Sequence, residues 1–190
     1  MKFRQAFIVR APLQKVAAFY RDPRSLQAIT PPIVPIRLRS APAQLQQDDE
    51  IDLVLWLIGV PVHWVARVVT IDEQGFTDCQ ISGPFARWTH RHQFVPISAN
   101  CTQIVDEIDA ALSHHPLKAL VGILLWLGLP LLFAYRRWKT RRLLEHPPLL
   151  RPSEGMCSDE SCRHRRWNRR LNSRCTASEK GFKRDRAGSP

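Results

Sequence analysis

The sequence predicts an α+β domain in which a curved antiparallel sheet of about seven strands is covered by a long C-terminal helix. Three observations support this prediction. A half-buried strand and two short helices come first, six strands joined by short turns follow, and an apolar stretch of helical length comes after the last strand. Consecutive strands joined by short turns favour an antiparallel meander, and such a sheet needs an apolar element to cover its concave face.

The first strand and the two helices are predicted from alternation and from prolines. Residues 2–10 largely alternate between apolar and polar side chains, which is typical of a half-buried strand. A helix can start at Pro12 and is stopped at Pro23. A second short helix over 25–29 ends before Pro31, because the residue preceding a proline is disfavoured in the helical conformation.

Six further strands are predicted between residues 35 and 112. Their ranges are 35–40, 50–58, 62–72, 76–81, 85–94 and 101–112. Turn residues separate them, including Gly75, the Gly83-Pro84 pair and Asn100.

The strand after Gly83-Pro84 has an unusual inner face. In an extended chain Trp88, His90, His92 and Phe94 point to one side, and the intervening polar residues point to the other. A buried imidazole needs hydrogen-bonding partners, so two histidines among large aromatics are an unusual choice for an ordinary core. We interpret this face as the wall of a cavity; the alternative is a core whose histidines are satisfied by neighbouring side chains.

The segment over 117–144 has helical length. Residues 119–135 carry no charge, and this run is at the lower end of the length needed to span a membrane. Arginines follow it and would place that end in the cytoplasm. Three alternatives stay open: a helix that covers the sheet, a membrane span, and an element that lies on a membrane surface.

The charge is concentrated near the C-terminus. The net charge is +11, and residues 151–190 contain 11 Lys/Arg against 5 Asp/Glu with few apolar side chains. The sequence therefore predicts a domain over 1–146 and a basic, disordered tail over 147–190. This positive charge predicts contact with an anionic membrane surface rather than with a specific nucleic acid. The residues predicted to make this contact are the tail and Arg136, Arg137, Arg141 and Arg142. The N-terminal residues lack signal-peptide features, which predicts a cytoplasmic protein.

Several stretches resemble a known superfamily. They are 7–23, which matches an entry strand and first helix; 26–32, which matches a second helix and its exit; the spacing of Asp78, Gln80, Gly83-Pro84-Phe85, Trp88, His90, His92 and Phe94; and the spacing of Thr102, Asp106 and Ile108. Together with the element order, they are similar to the START/Bet v 1-like superfamily, also called SRPBCC or polyketide cyclase/dehydrase-like, and to its bacterial ligand-binding subgroup.

The resemblance implies a helix-grip fold with a cavity between the sheet and the last helix. Members of this superfamily cyclise or dehydrate polyketides, or carry lipids or quinones. We expect the cavity to hold a hydrophobic small molecule, and the predicted lining residues are Trp64, Phe85, Trp88, His90, His92, Phe94, Leu120, Leu124, Leu127 and Phe133.

The candidate catalytic residues are His90, His92 and Asp106. A histidine held by Asp106 could move a proton during cyclisation or dehydration of a bound ketone, whereas the alternative is a network that only fixes strand pairing. Two histidines two residues apart on a strand could also share a metal, with Asp106 or His63 as a third ligand. No activated nucleophile is recognisable. The prediction is ligand binding without catalysis, and without a metal or cofactor; the oligomeric state is left open.

Overall fold

The computed structural model describes residues 1–145, and its α+β architecture confirms the predicted fold class. The predicted tail over 147–190 lies outside the described residues. The elements, in chain order, are β1 (Lys2–Val9), α1 (Leu13–Arg21), α2 (Arg24–Ala28), β2 (Ile36–Ser40), β3 (Glu50–Leu57), β4 (Val60–Asp72), β5 (Gly75–Ser82), β6 (Phe85–Ser98), β7 (Cys101–Leu112) and α3 (Pro116–Glu145).

The seven strands form one antiparallel sheet in the order β1-β7-β6-β5-β4-β3-β2. Strands β2 to β7 are neighbours in the order in which they occur in the chain, as expected for a meander. The first strand pairs with the last, with Phe7 opposite Ile104. This pairing places β6 between β5 and β7, so the histidine-bearing strand has a neighbour on each side.

A glycine at the start of β5 allows that strand to approach β6 closely. A Cβ atom added to Gly75 would lie 2.0 Å from the backbone oxygen of His92, which is far inside van der Waals contact. Only glycine fits at this point. Gly75 therefore helps to hold β5, and the side chains on it, close to the histidine strand.

The C-terminal helix packs on the sheet through one row of residues. Its buried residues are Gly122, Leu129, Phe133, Thr140 and Leu144, which recur at helical spacing. Leu129 and Phe133 belong to a hydrophobic cluster that also contains Trp88 and Ile108 of the sheet. One face of α3 thus covers the sheet, as predicted for this segment.

Candidate functional site

Three adjacent strands bring two histidines and two aspartates together. His90 and His92 lie on β6. Asp78 on β5 faces His90 directly across the strand pair, and Asp106 on β7 faces His92. Because side chains alternate along a strand, His90 and His92 share the inner face of the sheet with both carboxylates.

The two imidazole rings stack between the two carboxylates. Their centroids are 3.8 Å apart. On one side, Asp106 Oδ1 is 2.8 Å from His92 Nδ1 and 3.4 Å from His90 Nε2. On the other side, Asp78 Oδ2 is 3.6 Å from His92 Nε2 and 3.9 Å from His90 Nδ1. We call these four residues the His–Asp cluster.

The cluster is buried, but its polar atoms are not all in hydrogen-bond geometry. His90, His92 and Asp106 are each less than a tenth exposed. His90 Nε2, His92 Nδ1 and Asp106 Oδ1 nevertheless lack an aligned hydrogen-bond partner among the described residues, so the short distance between His92 and Asp106 is an ion-pair contact. Buried polar atoms of this kind are uncommon in folded proteins and often belong to a functional site.

The surroundings give the two histidines opposite tendencies. Burial lowers the pKa of His90, and the neighbouring His92 lowers it further. Burial also opposes the charge on His92, but its contacts with Asp106 and Asp78 prevail and raise its pKa to about 9. Burial likewise opposes the charge on Asp106, yet contact with the histidines holds the pKa of that carboxyl well below its usual range. At neutral pH, His92 is therefore the protonated imidazole and His90 the neutral one.

The helices add an arginine and a tyrosine to this region. Arg136 of α3 lines the same cavity as the cluster, and its guanidinium lies over the ring of Phe133 at 5.2 Å. Arg136 Nε is buried without a hydrogen-bond partner among the described residues. Tyr20 of α1 packs against His92, with ring centroids 5.7 Å apart, and burial raises the pKa of its hydroxyl. Formal charges in this region balance, because two carboxylates face one imidazolium and one guanidinium.

A cavity of about 190 Å³ lies between the sheet and the helices, and the polar residues occupy part of its wall. The rest of the wall is apolar and includes Trp64, Phe85, Trp88, Leu125, Leu129, Leu132 and Phe133. Trp64 packs edge-on against both Phe85 and Trp88, with centroids 6.0 and 5.2 Å away. The cavity therefore combines an aromatic region with a charged one.

The structure brings six of the ten predicted lining residues to this cavity: Trp64, Phe85, Trp88, His90, His92 and Phe133. Whether they contact a ligand remains a prediction. Phe94 does not line the cavity; it is buried in the neighbouring core, with its ring 5.1 Å from that of Tyr20.

The predicted lining was wrong for Leu120, Leu124 and Leu127 of α3, all of which are exposed to solvent. Leu125, Leu129 and Leu132 line the cavity in their place. The reason is that α3 is apolar around its whole circumference, so the sequence carries no period that tells the inner face from the outer one.

The two proposed third metal ligands are placed differently. His63 lies on the opposite face of the sheet, exposed and 2.8 Å from Asp52. Asp106 is in the cluster, but Asp78, His90 and His92 are the residues whose ligand atoms lie within 4.8 Å of one another. Asp78 was not among the candidate site residues predicted from the sequence. It could have been found there, because it is a carboxylate in the middle of a predicted strand, two residues after the buried Phe76 and therefore on the inner face.

Two of the four arginines predicted to face a membrane are engaged within the domain. Arg136 points into the cavity, and Arg141 donates a hydrogen bond from Nε to the backbone oxygen of Ile8. Only Arg137 and Arg142 of that group are exposed. The helical period decides this division, since Arg136 follows Phe133 by three residues on the inner face.

Comparisons with known proteins identify the fold. No family model matches the chain, and no curated protein matches its sequence.

Solved structures do match the fold of this chain. A START superfamily protein from Mycobacterium smegmatis is 14% identical with a TM-score of 0.56, and the match covers 75% of this chain and 98% of that one. The ZhuI aromatase/cyclase from Streptomyces sp. R1128 is 16% identical with a TM-score of 0.56, over 75% of this chain and 95% of that one. Ara h 8.0201 is 10% identical with a TM-score of 0.50, over 74% and 97%. The chain therefore has the helix-grip fold of these solved structures, which is the fold that the sequence resemblance implied.

Proposed function

We propose that this helix-grip domain binds a hydrophobic small molecule in the cavity between the sheet and α3. The observation that carries the proposal is an aromatic cavity wall that also contains buried polar atoms of His90 and Arg136, for which the described part of the chain offers no hydrogen-bond partner. A site of this composition holds an apolar body and orients it by a few polar contacts. The folds matched above, among them a START superfamily protein, support the same class of function.

The volume and the charge balance narrow the ligand. A dry cavity of about 150 Å³ accommodates benzene, so a volume of about 190 Å³ suits a molecule of one or two rings, or the head of a longer one. Formal charges around the cluster already sum to zero, so an added charge would lie uncompensated in a buried site. The ligand is therefore a neutral molecule whose carbonyl or hydroxyl oxygen accepts a hydrogen bond from Arg136. Quinones, polyketide-like ketones and neutral lipids all meet this description.

The first experiment identifies what the full-length protein carries. We expect native mass spectrometry of the gently purified chain to show a neutral, hydrophobic passenger. The apolar fluorophore N-phenyl-1-naphthylamine should compete with this passenger for the same cavity.

A pair of variants tests where the fluorophore binds. Leu129→Trp fills the cavity and should abolish binding, whereas Leu127→Trp makes the same change on the exposed side of α3 and should leave binding unchanged. Equal binding by both variants, with thermal stability retained, would place the fluorophore elsewhere and refute the proposal.

A second candidate function is acid–base catalysis on a bound ketone. The observation that favours it is His90, a neutral imidazole whose Nε2 atom lies beside Asp106 and has no aligned hydrogen-bond partner within residues 1–145. A neutral imidazole at a cavity wall can accept a proton from the carbon next to a carbonyl, which is an early step of cyclisation or dehydration. One of the matched structures is an aromatase/cyclase, which supports this class.

Acetophenone in deuterated water tests the second candidate. We expect the wild-type protein to accelerate exchange of the methyl protons of acetophenone, measured by NMR, and His90→Gln to remove the acceleration while the fold is kept. His63→Gln, which changes an exposed histidine outside the cavity, is the matched control. Exchange at the uncatalysed rate would leave ligand binding as the function.

A further inference from the structure

The outer side of α3 is a continuous apolar surface. It is formed by one row of residues at alternating helical spacing, which we call the outer ridge: Leu117, Leu120, Leu124, Leu127, Leu131 and Trp138. From first to last residue the ridge is about 32 Å long, at 1.5 Å per residue. It faces away from the residues of α3 that pack on the sheet.

The outer ridge is strongly exposed. Leu127 is 71% exposed and Leu131 is 79% exposed. By length and composition the helix could cross a membrane. Only 17% of its most apolar 18-residue stretch is buried within the protein. Single exposed leucines are common on soluble proteins, but a contiguous row of this length marks an interaction surface.

A second apolar group is at the end of the sheet where α3 begins. The β3–β4 hairpin turns through Ile58 and Gly59, and Ile58 is 84% exposed. Antiparallel register places this hairpin at the same end of the sheet as the close of β7 at Leu112, just before α3. The hairpin tip and the start of the outer ridge are thus at one end of the domain.

The backbone at Ile58 gives no folding reason for an isoleucine. Its φ angle is +50° and that of Gly59 is +80°, the conformation in which two-residue hairpins prefer Asn-Gly. A β-branched residue is disfavoured there, and this one also exposes its side chain to water. Both costs are explained if the side chain enters an apolar phase.

The charges on α3 indicate which apolar phase this is. The helix carries six basic residues and a single acidic one, Glu145, which pairs with Arg10. Lys139 and Arg142 lie over the ring of Trp138 at 5.9 and 5.6 Å, at one end of the outer ridge. Tryptophan beside cations at the border of an apolar surface is typical of helices at a membrane interface. A second copy of the chain would instead bring a basic helix against another basic helix.

We propose that α3 lies in the plane of an anionic membrane, with its outer ridge in the headgroup–acyl boundary and the β3–β4 hairpin inserted beside it. The helix does not span the bilayer, because Gly122, Leu129 and Phe133 hold its other face on the sheet. The inner residues Leu125, Leu129 and Leu132 line the cavity. In the docked state α3 is therefore the partition between the cavity and the lipid.

Co-sedimentation of the full-length protein with vesicles tests the proposal. At physiological salt we expect binding to vesicles of phosphatidylcholine and phosphatidylglycerol, and weaker binding to phosphatidylcholine alone. The double variant Leu127→Asp/Leu131→Asp should lower the partition coefficient at least about tenfold. Val95→Asp, which changes an exposed valine near the opposite end of the sheet, is the matched control and should bind like the wild type.

Ile58→Asn separates docking from folding. Because asparagine suits the backbone at this position, the variant should have a higher Tm than the wild type and yet bind vesicles several-fold more weakly. A merely structural isoleucine would not show these opposite effects.

Three outcomes would overturn the proposal. Undiminished vesicle binding by the double variant would assign binding to basic residues elsewhere in the chain. A full-length dimer that becomes monomeric in the double variant, without vesicle binding by either, would make the outer ridge an interface between copies. If the protein stays in the membrane fraction of expressing cells after alkaline carbonate extraction, α3 spans the bilayer.

Discussion

His92 Nδ1 lies 2.8 Å from Asp106 Oδ1, and the two residues face each other directly across β6 and β7. The pair is buried, so each charge depends on the other for compensation. Asp78 approaches the same imidazole from its other nitrogen, so His92 lies between two carboxylates, as His90 does at longer distances. This relationship leads to the first two predictions.

Removal of the buried carboxylate should be costly. Asp106→Asn leaves His92 without its closest counter-charge, and breaking a buried pair in this way costs about 3 kcal/mol of the free energy of unfolding. Urea titration measures the change. Asp52→Asn is the matched control, because it removes an exposed carboxylate at the same 2.8 Å distance from His63 and should cost less than about 1 kcal/mol. Equal losses in the two variants would contradict a stabilising role for the buried pair.

Stability should fall in mildly alkaline solution. The folded-state pKa of His92, about 9, is above the ordinary histidine pKa of about 6.5. Its contribution is therefore fully present below about pH 6.5 and is lost as the pH rises through about 9, with a total on the order of 3 kcal/mol. His90 has the opposite sign, since its pKa is lowered and its contribution is lost in acid.

The measurement for this prediction is the denaturation midpoint in urea across neutral and alkaline pH. The wild type should lose stability through the alkaline range, and His92→Gln should show a flatter profile there. Parallel profiles would mean that His92 does not carry the proton in the folded protein.

Two glycines of α3 should respond in opposite ways to the same substitution. A Cβ atom at Gly122 would lie 3.1 Å from Leu112 and 3.3 Å from Phe85. At Gly128, by contrast, no atom of the described residues would lie within 4 Å of an added Cβ atom. Gly122→Leu should therefore overpack the contact between helix and sheet and cost about 1–3 kcal/mol of the unfolding free energy. Gly128→Leu should gain up to about 1 kcal/mol from helix propensity. Thermal denaturation of both variants checks the prediction, and a gain at Gly122 would show that α3 is free to move away from the sheet.

The cluster should bind divalent metal poorly at neutral pH. Asp78, His90 and His92 offer ligand atoms within 4.8 Å of one another, but a metal would have to displace the proton of His92 and would add two charges near Arg136. We expect no visible absorption band when Co²⁺ is added to the full-length protein. A band that disappears in Asp78→Asn and persists in His63→Gln would reverse this expectation and identify a metal site.

The sequence by itself determined the order of the elements and therefore the fold class. Alternation marked the strands, and prolines and glycines marked their ends. The residue spacing around His90 and His92 resembled that of proteins with a helix-grip fold, and this is the fold observed. These signals are local, and each is visible within a few residues of the chain. The inward direction of Trp88, His90 and His92 followed from the strand period in the same way.

Only the tertiary structure decided which side of α3 faces the sheet and which carboxylates meet the histidines. Apolar residues lie on all sides of the helix, so their spacing does not indicate which side faces the sheet. In the folded domain, the side that carries Gly122 packs against Phe85. Asp78 meets His90 because the register of β5 against β6 places it there, and register between strands is a property of pairing rather than of either segment. That pairing decides the composition of the cluster, whereas the orientation of α3 decides which leucines line the cavity and which form the outer ridge.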